Sequence, residues 1–221
     1  MKFSGEKVSA VIARYSEELS WLEALDCPST VYNKGESPVE GAVVLPNVGR
    51  ESHTYLTHIV RNYPDFPEFL VFLQGAPFIH MEEGADCAKL NSLIADCIDR
   101  NVPFKGFAWF RLVCDRLGRP HQMADPANKG KWAGWGRDIP VGDTYEKLFE
   151  RTPPEKFIAS AATGLFMVRR DRILVRSKNF YEKALGVIES DPGDARNTGH
   201  AFERLWQVVF NGSRSINPEL G

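Results

Sequence analysis

Five consecutive apolar residues, Phe69-Leu-Val-Phe-Leu73, bounded by Glu68 and by Gln74-Gly75, are the strongest strand signal in this chain. A run of that length with no polar face reads as a strand buried on both sides, which requires helices above and below a sheet. Val8-Ser-Ala-Val-Ile-Ala-Arg-Tyr15 is a second such run, rich in β-branched residues, and predicts a buried first strand. After it, Ser16 is placed to cap a helix carrying Leu19, Trp21, Leu22 and Leu25. Ser29-Thr-Val-Tyr-Asn-Lys-Gly35 then predicts another short strand closing in a glycine turn. Strand, helix, strand in this rhythm is how a βαβ unit begins.

The stretch from Val44 to Val60 organises the rest. It leaves a strand end, breaks at Pro46-Asn47-Val48-Gly49, and resumes with Leu56, Ile59, Val60 and Tyr63 at helical spacing. Asn47 is the expected N-cap, which puts Gly49, Arg50 and Glu51 in the first turn. Free N–H groups, a close-approach glycine and an arginine together suit a phosphate. The plainer reading of the same residues is a capped surface helix with a solvated Arg50–Glu51 pair.

Further along, 85–100 predicts a helix, 107–113 a strand, 144–150 a short helix, and 157–170 one or two strands around Gly164. Ser177 opens another helix. The last helix, 198–210, carries a buried stripe of Phe202, Leu205, Trp206 and Val209, with His200, Glu203 and Gln207 on a polar face. Glu203 is a candidate base, and with Arg204 it is equally an ordinary surface charge pair. Between 114 and 143 the pattern dissolves into glycines, basic residues and the tryptophans Trp132 and Trp135, the composition of a mobile loop that closes on a ligand.

With 221 residues the expectation is one domain, 1–221, of α/β class: a Rossmann-like, mostly parallel sheet flanked by helices. The net charge of −2 provides no global field for nucleic acid. No segment approaches the roughly 18 apolar residues of a membrane span. Four widely spaced cysteines without a CxxC pair indicate buried, reduced thiols, and the expected location is cytoplasmic. His53 and His58 are five apart, a poor spacing for shared metal ligation, so no metal site is assigned to them; His80, in a strand-end turn, is the better functional candidate. In open α/β sheets ligands sit beyond the carboxyl ends of the strands. Arg14, Asn33 with Lys34, Arg50 and Gln74 all fall on that rim, which suits a phosphorylated, polar ligand.

These residues carry a resemblance. Val11-Ile-Ala-Arg-Tyr-Ser-Glu-Glu-Leu-Ser-Trp-Leu22, Tyr32-Asn-Lys-Gly35, Leu45-Pro-Asn-Val-Gly-Arg-Glu-Ser-His-Thr-Tyr-Leu56, Val71-Phe-Leu-Gln-Gly75, Gly164-Leu-Phe-Met-Val-Arg-Arg170 and Phe202-Glu-Arg-Leu-Trp206 look like an uncharacterised bacterial and fungal family grouped with GT-A-type glycosyltransferases. Asn47-Val-Gly-Arg-Glu51 is also similar to the Asn-x-Gly-Arg-Asp element of rhamnan-synthesis-type glycosyltransferases. The resemblance implies a GT-A-like fold that binds a nucleotide-sugar donor and transfers its sugar to a hydroxyl of a glycan or polysaccharide acceptor. It implies donor-diphosphate contacts from Arg14, Asn33, Lys34, Asn47, Gly49, Arg50, Glu51, Gln74 and Arg204. Glu203 becomes the expected base with His80 behind it, and Trp132 and Trp135 become acceptor platforms. One departure stands out. GT-A enzymes place an Asp-x-Asp metal site after a central strand, whereas this chain reads Gln74-Gly75-Ala76 there. Dependence on manganese or magnesium is therefore left open, and Arg50, Lys34, Arg14 and Arg204 are the candidates to neutralise the leaving diphosphate. Two alternatives remain at this stage: a non-catalytic nucleotide- or glycan-binding module, and a metal-dependent hydrolase built on His53, His58 and His80.

Overall fold

A computed structural model describes residues 2–109, 111–120, 138–159, 164–190 and 195–211. The two apolar runs are its central strands. β1 (Val8–Arg14) pairs in parallel with β2 (Ser29–Asn33) on one side and with β4 (Phe69–Gln74) on the other. The two-residue β3 (Val43–Val44) extends the edge beyond β2, also in parallel. After a three-residue β5 (Phe104–Gly106), a second small sheet forms from β6 (Leu112–Cys114) and β7 (Phe157–Ala159). β8 (Phe166–Arg169) returns antiparallel between β4 and β5, so the main sheet has six strands in the order β3-β2-β1-β4-β8-β5. The fold is thus α/β with a mostly parallel sheet.

The central strands are apolar throughout because each face meets its own core. Ala10 and Ile12 of β1 and Val71 and Leu73 of β4 pack with α2 (Cys87–Asp99) on one face. Val11, Leu70 and Phe72 point the other way, into the core formed with α1 (Arg50–Asn62), α3 (Val141–Phe149), α5 (Lys178–Glu189) and α6 (Ala195–Asn211). A short α4 (Arg170–Ile173) follows β8 directly. Alternation of period two survives, but with both faces dry it selects which core a side chain enters instead of core or solvent. The four cysteines are free and buried. No helix among the described residues is long and apolar enough to cross a membrane.

Three local expectations are corrected. The helix expected after Ser16 is a five-residue 3-10 turn, Ser20–Ala24, without a side-chain cap. The Ser16 amide is taken by the Glu17 carboxylate, and the chain must extend at Leu25 to carry Leu25 and Cys27 into the core. The strand expected at 107–113 resolves into β5 before it and β6 at its end, in different sheets, with 107–109 in neither. Three-residue strands leave no periodic signal, and pairing with β8 and β7 decides them. Asn47 does not cap α1. That helix starts after Gly49, which is left-handed at φ 59°, and no side chain caps it. Ser177 does cap α5, accepting from the Phe180 amide at 3.3 Å.

The strand order reverses at β1: the chain moves outward through β2 and β3, then crosses back to β4 on the far side. A crevice opens outside the carboxyl ends of the strands at such a switch point.

Candidate functional site

The crevice is a cleft of about 490 Å³ with β1 and β4 at its floor and the first turn of α1 as one wall. Seven of the nine expected donor-binding residues line it: Arg14, Lys34, Asn47, Gly49, Arg50, Glu51 and Gln74. Tyr15, Glu17 and Ala195 join them without having been anticipated. Glu17 was within reach of sequence reasoning, since it lies three residues past the end of β1 on the same rim. Ala195 was not, because only folding brings the start of α6 to the cleft.

The cations differ in what they can offer. Arg14 is buried; its Nη1 donates to Asn33 Oδ1 at 2.8 Å and to the Ser37 carbonyl at 3.0 Å, and its Nε donates to the Glu17 carbonyl at 3.0 Å. Asn33 completes this brace, its Nδ2 donating to the Ser37 and Gly35 carbonyls. Both side chains shape the loops after β1 and β2. Gly35 is required there, since a Cβ would fall 1.6 Å from the Tyr15 carbonyl oxygen.

Lys34 does the equivalent work for α1. Its ammonium donates to the carbonyls of Val48 and Arg50, and burial pulls its pKa down to about 8. Those carbonyls bracket two consecutive left-handed residues, Gly49 and Arg50 (φ 53°). A non-glycine residue held in that region costs on the order of 1–2 kcal/mol and persists only where its surroundings impose it. Lys34 thus fastens a strained turn at the end of a 13-residue helix whose first amides have no partners inside the helix. Arg50, with its side chain 29% exposed, remains open to the cleft.

Behind Arg50 lies the most unusual electrostatic feature. Its Nε stands 3.4 Å from Glu51 Oε2 and 3.5 Å from Glu203 Oε1, and both carboxyls are buried. Glu51 therefore is not half of a solvated surface pair, nor is Glu203. Glu203 meets His200 Nδ1 at 2.9 Å and Arg204 Nη1 at 3.6 Å, while Arg204 also donates to the His200 carbonyl at 2.8 Å. Burial, and then the Glu203 charge, raise the Glu51 pKa to about 8. Burial also raises Glu203, against the pull of Arg204 and Arg50. Two carboxyls placed this close hold one proton between them near neutrality. Glu51 is the member on the cleft wall, its Oε1 without a hydrogen-bond partner. Glu203 and Arg204 sit behind it on α6. Glycines permit the crowding: a Cβ on Gly164 would lie 2.8 Å from Glu51 Cγ, and one on Gly199 would lie 2.5 Å from the Gly49 carbonyl oxygen.

The histidines separate. His80 closes a 3-10 turn after β4, where burial lowers its pKa and the charges of Glu51 and Arg50 act on it. His53 Nε2 meets Glu189 at 3.2 Å, and His58 Nδ1 meets the Tyr32 hydroxyl at 3.1 Å in a buried setting that pulls its pKa to about 4. Among the described residues no three His, Cys, Asp or Glu side chains are grouped to hold a metal. Trp132 and Trp135, with most of the expected loop at 114–143, lie outside the described residues.

Fold and site together define an α/β protein with a strand-end cleft, a cationic helix terminus on its wall and a buried acid pair beside it. More particularly, the model of a family described as a protein of unknown function (DUF3431) matches residues 10–220, and the chain belongs to that family. No curated protein matches it. Among solved structures, a CMP:2-keto-3-deoxy-manno-octonic acid synthetase complexed with CTP aligns over 92% of this chain and 84% of its own, with 14% identity and a TM-score of 0.36. A likeness that distant carries neither activity nor ligand across.

Proposed function

We propose that this protein is a glycosyltransferase that takes a sugar from a nucleoside-diphosphate-sugar donor and passes it to an acceptor hydroxyl. The observation that supports this reading is the joining, in one cleft, of an anion cradle (Arg50, the first turn of α1 and the Lys34-fastened loop) to the Glu51–Glu203 pair. The donor diphosphate lies against the first turn of α1. As the bond from the anomeric carbon to the diphosphate oxygen breaks, that oxygen keeps the electron pair. Arg50 and the helix terminus stabilise the charge it gains. The acceptor oxygen bonds to the anomeric carbon, and its proton goes to the carboxyl pair. Glu51, which already carries the pair's proton, takes it on the wall as its own proton passes to the ionised Glu203. Glu203, held by His200 and Arg204, is the proton's final acceptor behind it, and His80, in the turn after β4, is the second candidate acceptor. A divalent ion, if the reaction uses one, finds its ligands outside any triad of described carboxylates and histidines.

The test is thermal stabilisation across a panel of nucleotide sugars, with and without manganese, followed by product analysis on any hit. A donor at a hundred times its dissociation constant stabilises by about 2.7 kcal/mol. No shift with any nucleotide sugar at millimolar concentration would overturn the reading. A shift without product would leave a binding module. Arg50→Ala is expected to abolish the shift while its own melting stays within a few degrees of the parent; undiminished binding would remove Arg50 from the site.

A further inference from the structure

Two large apolar side chains, Ile79 at 73% and Trp109 at 69%, stand exposed on the strand-end rim. β4 and β5 both run antiparallel to β8 and so parallel to each other. The chain leaving β5 therefore emerges at the same end of the sheet as the turn after β4, Pro77–His80. There the Trp109 amide donates to the His80 carbonyl at 3.2 Å, which sets Trp109 and Ile79 on adjoining segments. Both are supported from beneath. Pro77, Met81 and Phe107 are buried, and Phe78 meets Trp21 edge-on at 5.3 Å. Exposed apolar groups on a fixed support make a binding surface ready for a ligand.

A run of contacts joins this patch to the acid pair. Gly164 packs on Glu51, so closely that a Cβ would lie 2.8 Å from Glu51 Cγ. The next residue, Leu165, accepts from the Phe107 amide at 2.9 Å. Trp109 is two residues past Phe107, roughly 7 Å of extended chain. His80, beside Trp109, feels the charges of Glu51 and Arg50. Along these contacts the order is Lys34, Arg50, Glu51 and then the patch. The proton acceptors thus lie between the anion cradle and the patch, so the molecule whose hydroxyl loses its proton comes from the patch side.

The chemistry of the patch says what that molecule is. An indole face with an aliphatic neighbour fits the C–H face of a pyranose, whose hydroxyls stay in water around the ring edge. Glu82 and Glu83, exposed just after the turn, repel anionic lipid headgroups. Two side chains also fall well short of the roughly 800 Å² per partner that a stable protein contact buries. Resting on the nucleotide-sugar reading above, we propose that Trp109, with Ile79 beside it, is the platform on which a carbohydrate acceptor stacks.

The experiment adds neutral and acidic hexasaccharides (of glucose, N-acetylglucosamine, xylose, mannose and galacturonic acid) and follows the Trp109 indole N–H signal by NMR, assigned from its loss in Trp109→Phe. Calorimetry measures the affinities. At least one hexasaccharide is expected to move the signal. Trp109→Ala is expected to weaken its binding about tenfold, and Trp109→Phe, which keeps a flat ring, only about twofold. The exposure of Trp109 lets the alanine variant fold, which an unchanged melting temperature checks. No movement with any hexasaccharide at millimolar concentration overturns the proposal and leaves the donor reading standing. Loss of nucleotide-sugar binding in Trp109→Ala also overturns it, since the indole would then lie against the donor. So does sedimentation of the parent, but not of Trp109→Ala, with phosphatidylcholine vesicles, or a dimer that Trp109→Ala turns into a monomer. Hexasaccharide binding through Trp109 with no response to any nucleotide sugar keeps the carbohydrate platform and sinks the transferase reading alone.

Discussion

Glu51 shows how a single residue can set both the stability and the chemistry of this chain. Its carboxyl holds a proton up to about pH 8 in the fold, against an ordinary 4.5. Between those values the folded chain binds a proton that the unfolded chain releases, so stability falls as pH rises through that window. Glu51→Gln removes the penalty. Its melting temperature is expected to match the parent at about pH 4 and to exceed it above about pH 8, by on the order of 2–4 kcal/mol of unfolding free energy. Parallel pH-dependence curves for the two proteins would refute the assignment. Such a gain bought with lost function is the usual mark of an active-site residue. Glu203→Gln is expected to keep donor binding and lose transfer; normal turnover in a product assay would dismiss the pair as the proton acceptor.

At the scale of elements, the site depends on how closely α1 and α6 approach at their N-terminal ends. Ser52 Oγ donates to the Gly199 carbonyl at 2.9 Å, and Tyr55 Oη donates to the Gly164 carbonyl at 2.9 Å, tying α1 to α6 and to the segment entering β8. Gly199→Ala would drive a methyl group into the Gly49 carbonyl. The expected cost is about 1–3 kcal/mol, as for overpacking elsewhere, with donor binding weakened as well because the strained turn moves. Denaturant unfolding measures the first effect, and an unchanged midpoint would show that the two helices can separate freely. The apolar stripe of α6 was legible in its spacing, and all four of its residues are fully buried. The burial of its polar face was not. His200, Glu203 and Gln207 are buried too, because α6 lies in a groove between α1 and α3 that no local pattern announces. The same holds for α1, where Glu51, His53 and His58 are buried along with Leu56 and Ile59.

For the whole molecule, the sheet is firm at its centre and slight at its margins. β1 has partners on both sides and β4 joins it to β8, whereas β3 has two residues and one neighbour. Native-state hydrogen exchange should therefore show the amides of β1 and β4 opening only with global unfolding, and those of β3 opening locally at much lower free energy. Equal protection across the six strands would mean that the edge is covered by something other than the described residues. This arrangement keeps the floor of the cleft rigid while its walls, carried on the segments after β1, β2 and β3, can adjust to a ligand.

The amino-acid sequence by itself determined the α/β class, the two central strands, the main helices and most of the strand-end rim, because apolar runs and the 3.6-residue period are local signals that burial enforces directly. Only the tertiary structure decided that Arg14 and Asn33 brace loops, that Lys34 fastens the strained turn at Arg50, and that Glu51 and Glu203 share a site. Those residues are as much as 152 positions apart in the pair 51 and 203, and nothing in either neighbourhood specifies the other. Their meeting is set by the packing of α6 across α1, and so is the charge that the pair carries, since a carboxyl's proton affinity depends on the water and the charges that folding removes or brings near.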